Sequence, residues 1–136
     1  AWAVDMVKEI HRLHHPSSIR VDAHGPSGHL AEELTATLGD SVVCRASIDD
    51  LIQTTDYMLT AIPEERLLLR RAPEFPAELA AVALRTIGDK GRVLDRKHSR
   101  GSVATIEAAL LALRGVRSIH PTMPAPTIWS PSYDEN

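Results

Sequence analysis

At 136 residues, with 43% hydrophobic and 24% charged side chains, the chain has the size and composition expected of one soluble globular domain. No apolar run reaches the ~18 residues of a membrane span, Asp5, Lys8 and Glu9 do not read as a secretory leader, and the single cysteine excludes an internal disulfide framework. The net charge of -3 is unevenly spread: residues 1–65 hold 4 Lys/Arg against 11 Asp/Glu, and residues 66–136 hold 11 against 7, a polarity that suits either a mixed solvated surface or a nucleic-acid-facing half.

Aromatics make up only 4%, so the core rests on Leu, Ile, Val and Ala. Residues 3–14 read as an amphipathic helix with Val4, Val7 and Ile10 on one face, stopped by Pro16. Residues 18–22 read as a short strand ending on Asp22, followed by the turn Gly25-Pro26-Ser27-Gly28 and a helix over 28–38 that Gly39 closes. Residues 41–45 read as a second strand, with Cys44 as a thiol in a reducing compartment. Strand, helix and strand with short connections suggest a parallel βαβ unit. Ser47 and Asp50 have the spacing of a capping box at the start of a helix reaching about Thr60.

Leu67 to Arg70 is expected to be a short strand or an extended segment, residues 76–87 a helix with an Ala/Leu stripe, residues 92–95 a brief extended run, and residues 102–114 a closing helix. From Ile119 onward the prolines predict an extended tail, leaving residues 1–118 as the domain.

Three groups carry possible chemistry. Asp22 closes a strand beside a tight turn, where open α/β folds place ligands and metal ions. The loop Asp95-Arg96-Lys97-His98-Ser99-Arg100-Gly101 is basic and suits either phosphate contacts or plain solvation. His11, His14 and His15 share helical metal-ligand spacings, but histidines at a helix C-terminus are favoured by the dipole alone.

Taken in order, Val21-Asp22-Ala23-His24-Gly25-Pro26-Ser27-Gly28, the Leu/Glu helix, the valine strand, Ala46-Ser47-Ile48-Asp49-Asp50, the segment 61–68, the Ala-rich stretch 76–83, the loop 95–99 and the helix from Ile106 to Gly115 resemble the carboxyl-terminal nuclease domain of tailed-phage large terminase subunits. The resemblance covers residues 1–116. It implies a partial RNase H-like α/β fold, with a short, mainly parallel sheet flanked by helices. It implies a nuclease that cuts concatemeric double-stranded DNA during genome packaging in the cytoplasm of a phage-infected or prophage-carrying bacterium. Carboxylate-held Mg²⁺ or Mn²⁺ would support phosphodiester hydrolysis with two ions roughly 4 Å apart.

Carried over residue by residue, Asp22 matches one catalytic, metal-binding carboxylate and Asp95 to Ser99 resemble the family's closing loop, and the basic residues Arg96, Lys97, His98 and Arg100 are expected near DNA phosphates. The family's first catalytic Asp lies on a strand of a preceding meander that this sequence does not contain. Its last carboxylate falls where this chain has Ser102-Val103. Asp95, or Glu107 one turn further on, are the available substitutes. One of three expected acids predicts a poor nuclease or none as an isolated polypeptide. The strand at 18–22 is expected to present an open edge for the remaining portion of a large terminase or for a second copy. A catalytically inactive relative that binds the packaging machinery or DNA, and a small α/β domain of unrelated role, are the rival readings.

Overall fold

The computed structural model describes residues 2–68 and 73–119. Its elements are α1 (Trp2–His14), β1 (Ile19–Asp22), α2 (Gly28–Leu38), β2 (Val43–Ala46), α3 (Ile48–Ala61), α4 (Phe75–Ala81), β3 (Leu84–Ile87), β4 (Gly91–Leu94) and α5 (Ala104–Ile119). The mixed α/β class and the parallel βαβ unit are both present.

β1 and β2 pair in parallel, from Ile19 opposite Val43 to Asp22 opposite Ala46. The second strand starts at Val43, two residues later than the expected 41. The N–H groups of Val42 and Val43 donate to the Gly39 carbonyl, in the turn that closes α2. Alternation along the strands buries Val21 and Val43 with Val4, Ala31 and Leu34, a small core beneath α1 and α2. The opposite side of β1 meets α5.

The Ile19 N–H bonds the Val42 carbonyl at 2.8 Å. In a parallel ladder this phase turns the backbone groups of Ile19 and Val21 toward β2, and those of Arg20 and Asp22 away from it. Among the described residues β1 pairs with β2 alone, so the edge that carries Arg20 has no strand partner there. Arg20 leans from that edge toward α5, donating to Ser118 Oγ at 3.0 Å.

The larger core lies between α3 and α5, built from Met58, Ala61, Leu67, Ile106, Leu110 and Leu113. The capping box at the start of α3 is complete: Ser47 Oγ accepts from the Asp50 N–H at 3.1 Å, and Asp50 Oδ2 accepts from the Ser47 N–H at 2.9 Å.

The helix expected over residues 76–87 ends at Ala81. Val82 is extended, with φ -67° and ψ 134°, and Leu84–Ile87 pairs antiparallel with Gly91–Leu94 as a separate ladder. The Ala/Leu stripe has helical spacing, but the sequence after Ala83 alternates and ends on Thr86-Ile87, which favour a strand. Gly88 and Gly91, with φ of 52° and 142°, make the reversal between β3 and β4. Gly91 also lies close against α3, since a Cβ there would meet Ile52 Cγ2 at 2.6 Å.

Leu67 is buried, and residues 66–68 form no strand. The rest of the extended segment expected around Leu69, and the tail beyond Ile119, lie outside the described residues. No helix among the described residues is long and apolar enough to cross a membrane.

Candidate functional site

Asp22 is the last residue of β1, and its side chain is almost wholly buried. Oδ1 accepts from the His24 N–H at 2.9 Å, closing a local turn that aims the carboxylate. Oδ2 accepts from Nη2 of Arg96 at 2.7 Å. Arg96 follows β4, 74 residues away. Its Nε donates to both oxygens of Glu107, at 2.9 and 3.1 Å, and its Nη2 also bonds Glu107 Oε1. Glu107 lies in the first turn of α5. Two carboxylates from elements far apart in sequence therefore converge on one guanidinium nitrogen. The Glu107 contact raises the pKa of Arg96 further, with Asp22 adding to it, against the opposing effect of burial.

Gly25 makes this arrangement possible. A Cβ on it would collide with the Arg96 guanidinium. Its φ is not positive, so the glycine is required here for space rather than for backbone conformation.

Asp95 lies beside this group but turns elsewhere. Its Oδ2 is 2.7 Å from His98 Nδ1, and its Oδ1 accepts from the His98 N–H at 3.2 Å. These contacts, the His98 side chain first, hold the Asp95 carboxyl below its ordinary range. The loop itself is firmly tied down. The Asp95 N–H bonds the Ala83 carbonyl, the Arg100 N–H bonds the Ala81 carbonyl, and Ser99 Oγ bridges the Asp95 carbonyl to the Ala83 N–H.

A cavity of about 420 Å³ opens between these elements, with Asp22, Asp95, Arg96, Lys97, His98 and Glu107 in its wall. All three anticipated carboxylates and three of the four anticipated basic-loop residues thus share one cavity. Arg100 is exposed and does not line it. Ser102 holds no place in this group; its Oγ accepts from the Ala104 N–H at 3.3 Å, at the start of α5.

Sequence reasoning did not single out His24, Arg85 or Thr55, which also line the cavity. His24 had a signal, lying two residues beyond Asp22. Arg85 was hidden by the helical reading of its segment. Thr55 Oγ1 is buried with no hydrogen-bond partner among the described residues, and nothing in the helical pattern of α3 distinguishes it.

Asp22 and Glu107 fit a single divalent cation as a partial set. Mg²⁺ is commonly held by one or two carboxylates, with waters and substrate phosphate completing the shell. Among the described residues no group of three or more His, Cys, Asp or Glu side chains is placed to hold a metal, so the donor set falls short of a pair of ions. His11, His14 and His15, at the end of α1 and just beyond it, join no such group; the rings of His11 and His15 pack edge to face with centroids 6.4 Å apart. The chain matches no family model, no curated protein and no solved structure.

Proposed function

We propose that this chain is the carboxyl-terminal nuclease part of a phage large terminase subunit, supplying one side of a metal-dependent site that cuts concatemeric DNA during packaging. The observation that carries this reading is the meeting of Asp22 and Glu107 on a single cationic nitrogen, at the carboxyl end of a parallel strand. In this reading Glu107 takes the part of the acid missing at Ser102. Asp22 and Glu107 would hold one Mg²⁺ or Mn²⁺, which when bound polarises a phosphoryl oxygen and activates water.

The remaining roles belong to the chain's own groups. Lys97 and Arg100 attract the phosphate backbone, and His98, fixed by Asp95, stands at the cavity wall with an imidazole able to carry a proton. Arg96 must leave the carboxylates for the metal to enter, and on leaving it is free to pair with a phosphate. The open outer edge of β1 suits a further strand, provided by the rest of a large terminase, that would bring the missing acid.

The test is nicking of supercoiled plasmid in Mn²⁺ by this chain joined to the meander that precedes it in the family. Metal-dependent cutting is expected, and loss of cutting in Asp22→Asn and Glu107→Gln. A folded, soluble fusion that never cuts would overturn the reading.

A second reading has its own support. Arg96 already pairs with both carboxylates, as a fixed counter-ion would, which favours a catalytically inactive terminase-like module that binds DNA or the packaging machinery. It predicts salt-dependent DNA binding, weakened in Lys97→Ala with Arg100→Ala, and no response to Mn²⁺ in either binding or cutting.

A further inference from the structure

Helix α1 has two apolar faces, and only one is packed. Val4 is its single buried residue and, with Val7 beside it, belongs to the core beneath α2. Trp2, Met6, Ile10 and Leu13 are exposed, at 76%, 55%, 45% and 55%. At 3.6 residues per turn these four positions fall within a stripe roughly 80° wide, the geometry of a helix–helix seam. The helix has 13 residues. A helix of that length is marginal in water by itself, so packing has to sustain it, and one buried valine is little packing.

We infer that α1 is a self-association surface, pairing with α1 of a second copy as an antiparallel seam about a two-fold axis. Three features select this occupant. The stripe is close to self-complementary: an axis near Lys8 sets Trp2 against the partner's Leu13 and Met6 against the partner's Ile10, and symmetry repeats each contact.

Charge selects the antiparallel sense. Asp5 stands in the first turn and Arg12 in the last, on the same flank of the stripe, and the antiparallel sense brings Asp5 near the partner's Arg12 twice. Parallel pairing would put the two copies of this flank on opposite sides of the seam, where Asp5 and the partner's Arg12 could not meet. Opposed helix dipoles favour the same sense. Arg12 also bonds Glu9 of its own helix, at 2.6 and 2.9 Å, so its second partner would be shared.

The third feature is area. The four side chains expose roughly 400–500 Å² per copy, near the upper range of patches on ordinary monomers. Two copies with their polar flanks would bury on the order of 1,000 Å², at the lower limit of specific interfaces. A dissociation constant in the micromolar range is therefore expected, and the dimer forms independently of any metal or DNA.

Sedimentation velocity of the 136-residue chain, from about 1 to about 200 µM, should show a monomer–dimer equilibrium across that micromolar range. The double variant Met6→Lys with Ile10→Lys should remain monomeric with an unchanged circular dichroism spectrum, because both side chains are exposed. Orientation is read from disulfides in a Cys44→Ser background. A mixture of Trp2→Cys and Leu13→Cys chains should oxidise chiefly to the mixed dimer. A wild-type chain monomeric at the highest concentration, a double variant that dimerises as the wild type does, or a Trp2→Cys homodimer as the main product would each overturn the inference. The disulfide result stands even where the lysine variant fails to fold.

Discussion

Nη2 of Arg96 lies 2.7 Å from Oδ2 of Asp22, joining the end of β1 to the loop after β4. The Asp22 side chain is 8% exposed and that of Arg96 38%, so the pair spans the boundary between interior and solvent. Removing the guanidinium leaves a buried carboxylate beside Glu107, with the His24 imidazole, 3.8 Å from Asp22 Oδ1, as its remaining basic neighbour among the described residues. Arg96→Gln should lose about 1–3 kcal/mol of stability, less than a fully buried pair because the arginine is partly wet. Under the metal reading, millimolar Mn²⁺ should raise the melting temperature of Arg96→Gln more than that of the wild type, by emptying the space between the carboxylates. Calorimetry with and without Mn²⁺ measures both effects. An equal response in the two proteins would show that Arg96 does not compete with the cation, and no response in either would count against a metal site.

Gly25 and Arg96 should be coupled. Alanine at position 25 places a methyl against the guanidinium, in a backbone conformation that alanine accepts. Gly25→Ala should cost about 1–2 kcal/mol in the wild type through overpacking. In the Arg96→Gln background the clash is gone, and the same change should be neutral or stabilising by up to about 1 kcal/mol, since alanine restricts the unfolded chain. Urea denaturation of the four proteins gives the coupling energy. Additive effects would mean that the close approach of Arg96 to Gly25 is not maintained in solution.

Periodicity and capping made much of this fold legible. The βαβ unit follows from one short strand, a Leu/Glu helix and a valine run, and the capping box at Ser47 and Asp50 is local chemistry that needs no tertiary context. The β3–β4 hairpin was not legible, because an Ala/Leu stripe leading into Val82 carries helical spacing and the turn signal at Gly88 and Gly91 comes only after it. Asp22, Asp95, Glu107 and the basic loop were each visible as residue types. Their division of labour was not. Whether Asp95 or Glu107 would meet Asp22 depends on the His98 contact and on the placement of α5, both long-range or conformational facts. The choice of Arg96 as the bridging group depends on a glycine 71 positions away along the chain, which no local pattern discloses.

Glu78 ties α4 to the first turn of α5, the turn that carries Glu107. It is buried in α4, yet its Oε2 accepts from the N–H groups of Thr105 and Ile106 at 2.9 and 3.1 Å, and its Oε1 accepts from Thr105 Oγ1 at 3.1 Å. It therefore acts as an acidic cap supplied from another element, satisfying donors at the start of α5 and complementing the helix dipole. Glu78→Ala should cost about 2–4 kcal/mol, because shielded N–H groups lose their acceptor. Glu78→Gln keeps an acceptor and should cost about half as much. Faster hydrogen exchange at Thr105 and Ile106 in the alanine variant, read by NMR, would locate the effect. Unchanged protection there would show that α5 is capped by other means.

Asp50 should set part of the acid limb of stability. Burial alone would raise its pKa, but the Ser47 N–H, then Arg114, outweigh burial and hold it below the ordinary 3.8. Arg114 Nε donates to Asp50 Oδ1 at 2.5 Å, tying α3 to α5. A lowered folded-state pKa means the unfolded chain takes up its proton first as pH falls. The stabilisation is therefore complete above the unfolded value and disappears as pH drops through the folded one. Asp50→Asn should be less stable by about 1–2 kcal/mol at pH 7, having lost the charged cap and the ion pair. The difference from wild type should shrink steadily below pH ~4 as the wild-type carboxyl is protonated. Urea midpoints across the acid range measure this. A gap that persists undiminished at the lowest pH would mean that the carboxylate charge contributes nothing and that only the hydrogen-bonding shape of the cap matters.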